Sequence, residues 1–149
     1  MVLPERSETT SSIPDDDMLD IFLSLDTPPG YRAELIDQEI VVTPPPQAFH
    51  EGIIHLITRA INRGADTDFW LAGNRGLITP LGRFIPDITV GHESGFSTRE
   101  HWTDCTDVEL VCEVTSHDPH RDRHAKRRGY AQAQIPLYLL VDRTAQTVS

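Results

Sequence analysis

The segment from Val108 to Asp142 constrains the fold more than any other. It opens with "VELVCEVTS", the most strand-like run in the chain. There Val108, Leu110, Cys112 and Val114 alternate with Glu109, Val111, Glu113 and Thr115. Asp118 is a good N-cap and Pro119 a good first helical residue, so a helix is predicted from there to about Ala133. Pro136 then precedes "LYLLVD", an apolar run of the kind found in strands buried on both faces. A strand, a helix and a second apolar strand in that order call for a sheet with a helix packed on it.

The rest of the chain adds elements of the same two kinds. Asp15 to Leu25 reads as a short helix with acids in its first turn. "YRAELI" and "EIVVT" alternate as two strands of a hairpin around Asp37-Gln38. After the triple proline at 44–46, Phe49, Ile53, Ile54, Ile57 and Ile61 recur at helical spacing, which predicts a helix over about Gln47 to Asn62. "FWLAG", "RGLITP" and "RFIPDITVG" follow as short strands, and "HESGFSTREHWTDCTD" as a long polar surface loop. This order predicts an α/β or α+β domain: a central mixed β-sheet flanked by helices. Residues 1–14 are Ser/Thr/Pro-rich and acidic, so they are expected to form a disordered tail ahead of a domain over 15–149. "TAQTVS" opens a further strand and stops, so a C-terminally truncated domain is one expectation.

At 149 residues the chain can bury a real core as one domain. No run approaches the ~20 apolar residues of a membrane span, and the N-terminus is unlike a secretory signal; a cytoplasmic protein without membrane contact is expected. Cys105 and Cys112 fit no zinc spacing, and Cys112 lies among apolar neighbours as a reduced structural thiol. The formal net charge of −10 opposes tight sequence-independent binding to a nucleic-acid backbone. It leaves open an enzyme that handles phosphodiesters through a metal ion, because clustered carboxylates suit hard cations.

Strand alternation shows where such chemistry could sit. Across "RFIPDITV", Phe84, Pro86, Ile88 and Val90 point one way, and Arg83, Ile85, Asp87 and Thr89 the other. Asp87 and Glu113 are therefore carboxylates set deep in apolar segments, where an ionised group is costly unless paired with a cation or metal. If the two strands are neighbours, the pair makes an oxygen-lined site suited to Mg²⁺ or Mn²⁺. The chain has thirteen basic residues and Lys126 is its single lysine. From the following helix it could reach the same spot as a compact point charge. The plainer readings are that Asp87 caps a turn or pairs with Arg83, and that Lys126 pairs with Asp122 on a helix surface.

The ordered series Pro86-Asp87, Glu113-Val114-Thr115-Ser116, Asp122, Lys126, Tyr130 and "IPLYLLVD" resembles the Uma-two family. That family consists of restriction-endonuclease-like proteins of the PD-(D/E)xK nuclease superfamily. "YRAELIDQEIVVTPPPQAFHEGI" is similar to it as well, so the resemblance covers about residues 28 to 142. In the superfamily the lysine stands two residues after the second acid; here that position is Thr115. The resemblance implies that the lysine has moved to the next helix, as Lys126. It further implies a restriction-endonuclease-like core with Asp87, Glu113 and Lys126 as catalytic residues and Asp87 and Glu113 as metal ligands. Glu34 and His50 would be supporting residues of the same site. Gln38 and Gln134 depart from the family, which has glycines there, and Leu139 stands where tryptophan is common.

The expected function is Mg²⁺- or Mn²⁺-dependent endonucleolytic hydrolysis of nucleic acid, DNA rather than RNA. Arg121, Arg123 and Arg127 are the expected phosphate contacts, in a local basic cluster completed by Lys126 and Arg128. Two alternatives stand beside it: a nuclease-fold scaffold without turnover, and a protein whose main property is homodimerisation through the sheet or the C-terminal segment. A zinc or nickel site at His117, His120 and His124 is disfavoured, because the helix begins between the first two histidines.

Overall fold

The computed structural model describes residues 15–92, 100–116 and 118–149; the expected tail, residues 93–99 of the polar loop and His117 lie outside them. Helix α1 (Asp15–Leu23) carries three acids in its first turn and buries Phe22, whose ring meets Trp102 at 5.6 Å. Strands β1 (Arg32–Ile36) and β2 (Glu39–Thr43) pair antiparallel across a two-residue turn. Its central residues, Asp37 and Gln38, both have positive φ (49° and 68°), the backbone of a tight hairpin that matches strand twist. Helix α2 (Ala48–Gly64) follows the prolines. Ile53, Ile54, Ile57 and Ile61 pack on the buried cluster of Ile88, Val90, Cys112 and Val114. Phe49, expected on that apolar face, is instead 65% exposed.

Strands β3 (Trp70–Ala72), β4 (Gly76–Thr79), β5 (Gly82–Phe84), β6 (Ile88–Gly91), β7 (Trp102–Thr103), β8 (Val108–Val114), β9 (Leu137–Asp142) and β10 (Thr147–Val148) complete the strand set. They form two mixed sheets of five strands each, ordered β2-β1-β5-β4-β7 and β10-β9-β8-β6-β3, where the sequence suggested one. The division falls inside "RFIPDITV", which is not a continuous strand. Pro86 has no N–H for a ladder, and the chain passes there from β5 in one sheet to β6 in the other. Phe84 consequently joins a core with Leu77, Val111 and Tyr130, while Ile88 and Val90 join the core under α2. The face expected to hold all three does not exist. A register shift between Val90 and Gly91 likewise turns Val108 away from Leu110 and Cys112, into the first core.

β8 is central to the second sheet, antiparallel to β6 and parallel to β9. The crossover between β8 and β9 is helical but not uniformly so. α3 (Pro119–Arg121) opens with the Asp118 side chain accepting from His120 N–H, as the N-cap predicts. A π turn over Asp122–Lys126 follows, then α4 (Arg127–Gln132). Gly129 lets α4 approach β5 closely, since a Cβ there would fall 2.3 Å from a Phe84 ring carbon. Tyr130 then meets Phe84 edge-on at 5.4 Å. β9 is only half-buried, with Leu137 59% exposed, because its outer neighbour is the two-residue β10. The expectation of burial on both faces fails for that reason. No described helix is long and apolar enough to cross a membrane.

Candidate active site

A cleft of about 390 Å³ opens where β1, the start of α2, the end of β8 and the π turn meet. At its base lies Lys126, 4% exposed. Its Nζ is 2.8 Å from Glu34 Oε1 and 2.7 Å from Glu113 Oε1. Glu113 Oε1 also accepts from the Tyr130 hydroxyl at 2.5 Å, and Glu34 Oε1 from Ile85 N–H at 2.5 Å. Lys126 is therefore no surface partner of Asp122. The π turn between them holds one residue more than an α-turn, which breaks the i, i+4 register and directs the lysine inward.

Asp87 enters the same cleft from the crossing between the sheets. Its Oδ2 accepts from Val114 N–H at 2.8 Å, and its Oδ1 lies 3.2 Å from His50 Nε2 and 3.6 Å from an Arg32 nitrogen. The His50 contact is an ion-pair distance without hydrogen-bond alignment, so Nε2 is a buried polar atom lacking a hydrogen-bond partner. Arg83 donates to the Gly82 carbonyl and does not serve Asp87.

Burial and charge pull these groups in opposite directions. Burial raises the Asp87 pKa, but His50, the Val114 N–H and Lys126 together outweigh it and hold the group below the usual aspartate value. Glu113 is pushed well above the ordinary glutamate value by burial, with Lys126 opposing. Burial also lifts Asp122 to about 6, against the pull of Lys126. For Lys126 burial favours the neutral amine, yet Glu113, Glu34 and Asp122 win and raise its pKa. The lysine stays protonated at neutral pH.

The structure thus brings Asp87, Glu113, Lys126, Glu34 and His50 into one cleft. It treats the three arginines differently. Arg121 lines the cleft but is engaged by Glu39 at 2.9 Å and Asp118 at 3.1 Å. Arg123 is bound to Asp142 at 2.5 Å, which holds that carboxylate down to about 2. Arg127 is exposed and away from the lining. The basic run "RDRHAKRR" winds around the helix, so its charges cannot share one face. Arg32, Asp122, Tyr130 and Arg143 belong to the site and were not singled out for it. Asp122 and Tyr130 stood in the family-like series, whereas nothing local marks Arg32 or Arg143. The His120 and His124 rings meet at a tilt, with centroids 4.6 Å apart, on the helix surface.

Two carboxylates in a cleft suit Mg²⁺ or Mn²⁺. Such ions commonly take one or two protein carboxylates and complete their shell with water and substrate oxygens. Among the described residues no three His, Cys, Asp or Glu side chains form a ready cage, which a Mg²⁺ site of that kind does not require. The donor chemistry of the residues present fits such an ion, which Asp87 and Glu113 would hold.

Fold and cleft together define a class: a mixed α/β domain of nuclease-like architecture, with acids from two sheets converging on a buried lysine. The chain belongs to the Uma2 family, described as "putative restriction endonuclease", whose family model matches residues 19–149. Among solved structures it is similar to "a putative nuclease belonging to DUF820" from Anabaena variabilis, with 21% identity and a TM-score of 0.66. That match covers 87% of this chain and 76% of the other, and at such identity it carries the fold alone. No curated protein matches the chain.

Proposed function

We propose that the protein is a metal-dependent endonuclease that hydrolyses phosphodiester bonds, with DNA as its substrate. One observation carries the reading. Asp87, Glu113 and Lys126 come from three separate segments of the chain, and all are buried side by side in one cleft. Burying two acids and a lysine costs several kcal/mol per ion after relaxation, so a fold without use for them has better ways to fill the space.

Held by Asp87 and Glu113, Mg²⁺ or Mn²⁺ would supply Lewis acidity toward the scissile phosphate and lower the pKa of an attacking water. Asp87 is suited to binding because it stays ionised. Lys126 serves as a fixed cation that neutralises charge developing on the phosphate; a lysine held protonated by two carboxylates is a poor base. Asp122, lining the cleft with a pKa of about 6, is better matched to accepting a proton near neutrality. Glu34 positions Lys126, and His50 positions Asp87.

Calorimetric titration of Mn²⁺ into wild type and Asp87→Ala, followed by cleavage assays on DNA and RNA, tests this. Saturable binding lost in the variant, with metal-dependent cleavage by wild type, supports it. No Mn²⁺ binding by either protein would overturn the mechanism and favour a scaffold that keeps the fold.

A further inference from the structure

The phosphate-binding role foreseen for the helix arginines has a better candidate on the other wall of the cleft. Arg143 follows β9 and lines the cleft. Its backbone N–H donates to Thr115 Oγ1 at 2.9 Å, which fixes its base beside the end of β8. Its guanidinium lies over the Phe49 ring, 4.8 Å from the centroid, within cation–π range. Arg32, Arg121 and Arg123 are each engaged by acids. Among the described residues Arg143 has no acidic partner, so its charge is available to an anion. Phe49 lies between Gln47 and His50, both of which line the cleft. A large aromatic ring 65% exposed at that place is unexplained by packing.

We propose that Arg143 and Phe49 form a clamp for an unpaired nucleic-acid strand at the mouth of the cleft. Arg143 contacts a phosphate next to the scissile one, and Phe49 stacks on the adjoining base. The choice of a nucleic acid rests on the nuclease reading; the strandedness comes from the clamp. Stacking on a phenyl ring needs a base whose face is free, which a duplex does not offer within its stack. The cleft has the volume of a site for a single drug-sized group. Asp87, Glu113 and Lys126 lie buried at its base, so they are reached by one strand at a time.

The test is fluorescence anisotropy with a labelled oligo-deoxythymidine, which has no self-pairing, and with a hairpin duplex, in EDTA over a series of salt concentrations. Wild type is expected to prefer the single strand. Arg143→Gln should weaken that binding about tenfold and lower the slope of log affinity against log salt by about 0.7, the loss of one phosphate contact. Phe49→Ala and Phe49→Leu should weaken it by a similar factor with the slope unchanged, since stacking releases no counterions. Phe49 is exposed and Arg143 half-buried, and circular dichroism verifies folding. Wild-type affinity in all three variants, equal losses on the duplex, or no binding of the single strand by wild type would each overturn the clamp. Because EDTA removes metal, cleavage by wild type alongside unaffected variants would sink the clamp alone. Clamp-dependent binding without Mn²⁺ binding or cleavage would sink the nuclease reading alone.

Discussion

The Lys126 ammonium sits 2.7 Å from the carboxylate of Glu113, thirteen positions before it in sequence, and 2.8 Å from Glu34 on another sheet. One buried cation therefore serves two buried anions. Removing it leaves both uncompensated, the situation in which breaking a buried pair costs most. Lys126→Ala should lose about 3–5 kcal/mol of stability at pH 7. Part of the penalty comes from the Glu113 carboxylate, whose pKa burial raises well above the ordinary glutamate value, so the loss should be smaller at pH 4, where Glu113 is protonated. Urea titrations of wild type and variant at both pH values measure this. An equal loss at both would mean that packing, not charge, is at stake.

Asp87 contributes a pH dependence of the same sign through its own titration. Burial raises its pKa but His50, the Val114 N–H and Lys126 leave it lower than in the unfolded chain. The folded state thus binds the proton less tightly than the unfolded state. Its contribution is fully present above the unfolded aspartate pKa, near 4, and is lost as pH falls through the lower folded value. Asp87→Asn in metal-free protein should cost about 1–3 kcal/mol at pH 7, typical of hydrogen bonds to a charged group, and less at pH 3. Thermal melts across that range decide it. A cost that did not fall toward pH 3 would remove the ionised carboxylate from the account.

Asp122 is raised instead, to about 6, chiefly by burial. Its folded form holds a proton that the unfolded form has released, so stability falls as pH climbs from about 4 to about 6 and is level above. Asp122→Asn should remove this fall and stabilise the protein at pH 7 by about 1–3 kcal/mol. If Asp122 also accepts the proton in the reaction, kcat/KM should rise through a limb near pH 6 in wild type, and the variant should lose both the limb and at least about a hundredfold in rate. A variant that is stabilised but fully active would leave Asp122 a structural burden only.

How far such features can be read from sequence depends on their range. The β1–β2 hairpin, the Asp118 cap and the α2 register are local, and each follows from residues within one turn of one another. The depth of Asp87 and Glu113 was legible because an acid in an apolar run stands out. The burial of Lys126 was not legible from its helix, since i, i+4 spacing to Asp122 suggests a surface pair until a π turn breaks the register. The break at Pro86 divided a strand that alternation alone would have kept whole. Arg143 was invisible because its meaning lies in Phe49, ninety-four positions away by number and 4.8 Å away in space. Long-range pairs of that kind leave no pattern in one sequence.

Two positions where the family resemblance implies glycine acquire a physical meaning in the backbone. Gln38 and Gln134 have φ of 68° and 59°. Gln38 is the second central residue of the β1–β2 turn. Gln134 follows α4, where Ile135 N–H donates to the Tyr130 carbonyl and closes the helix end. A side chain in this left-handed region crowds its own carbonyl, at a cost of roughly 1–2 kcal/mol that glycine avoids. Glycine returns part of the gain through the greater freedom of the unfolded chain. Gln38→Gly and Gln134→Gly should each add about 0.5–1 kcal/mol, or about 1–4 °C in Tm for a domain of this size, and should act additively because the sites are distant. Alanine at either position should bring no gain, because it keeps the Cβ. Calorimetry of the four single variants and the glycine double variant checks this. Stabilisation by alanine as large as by glycine would show that the strain lies in the glutamine side chains and not in the backbone.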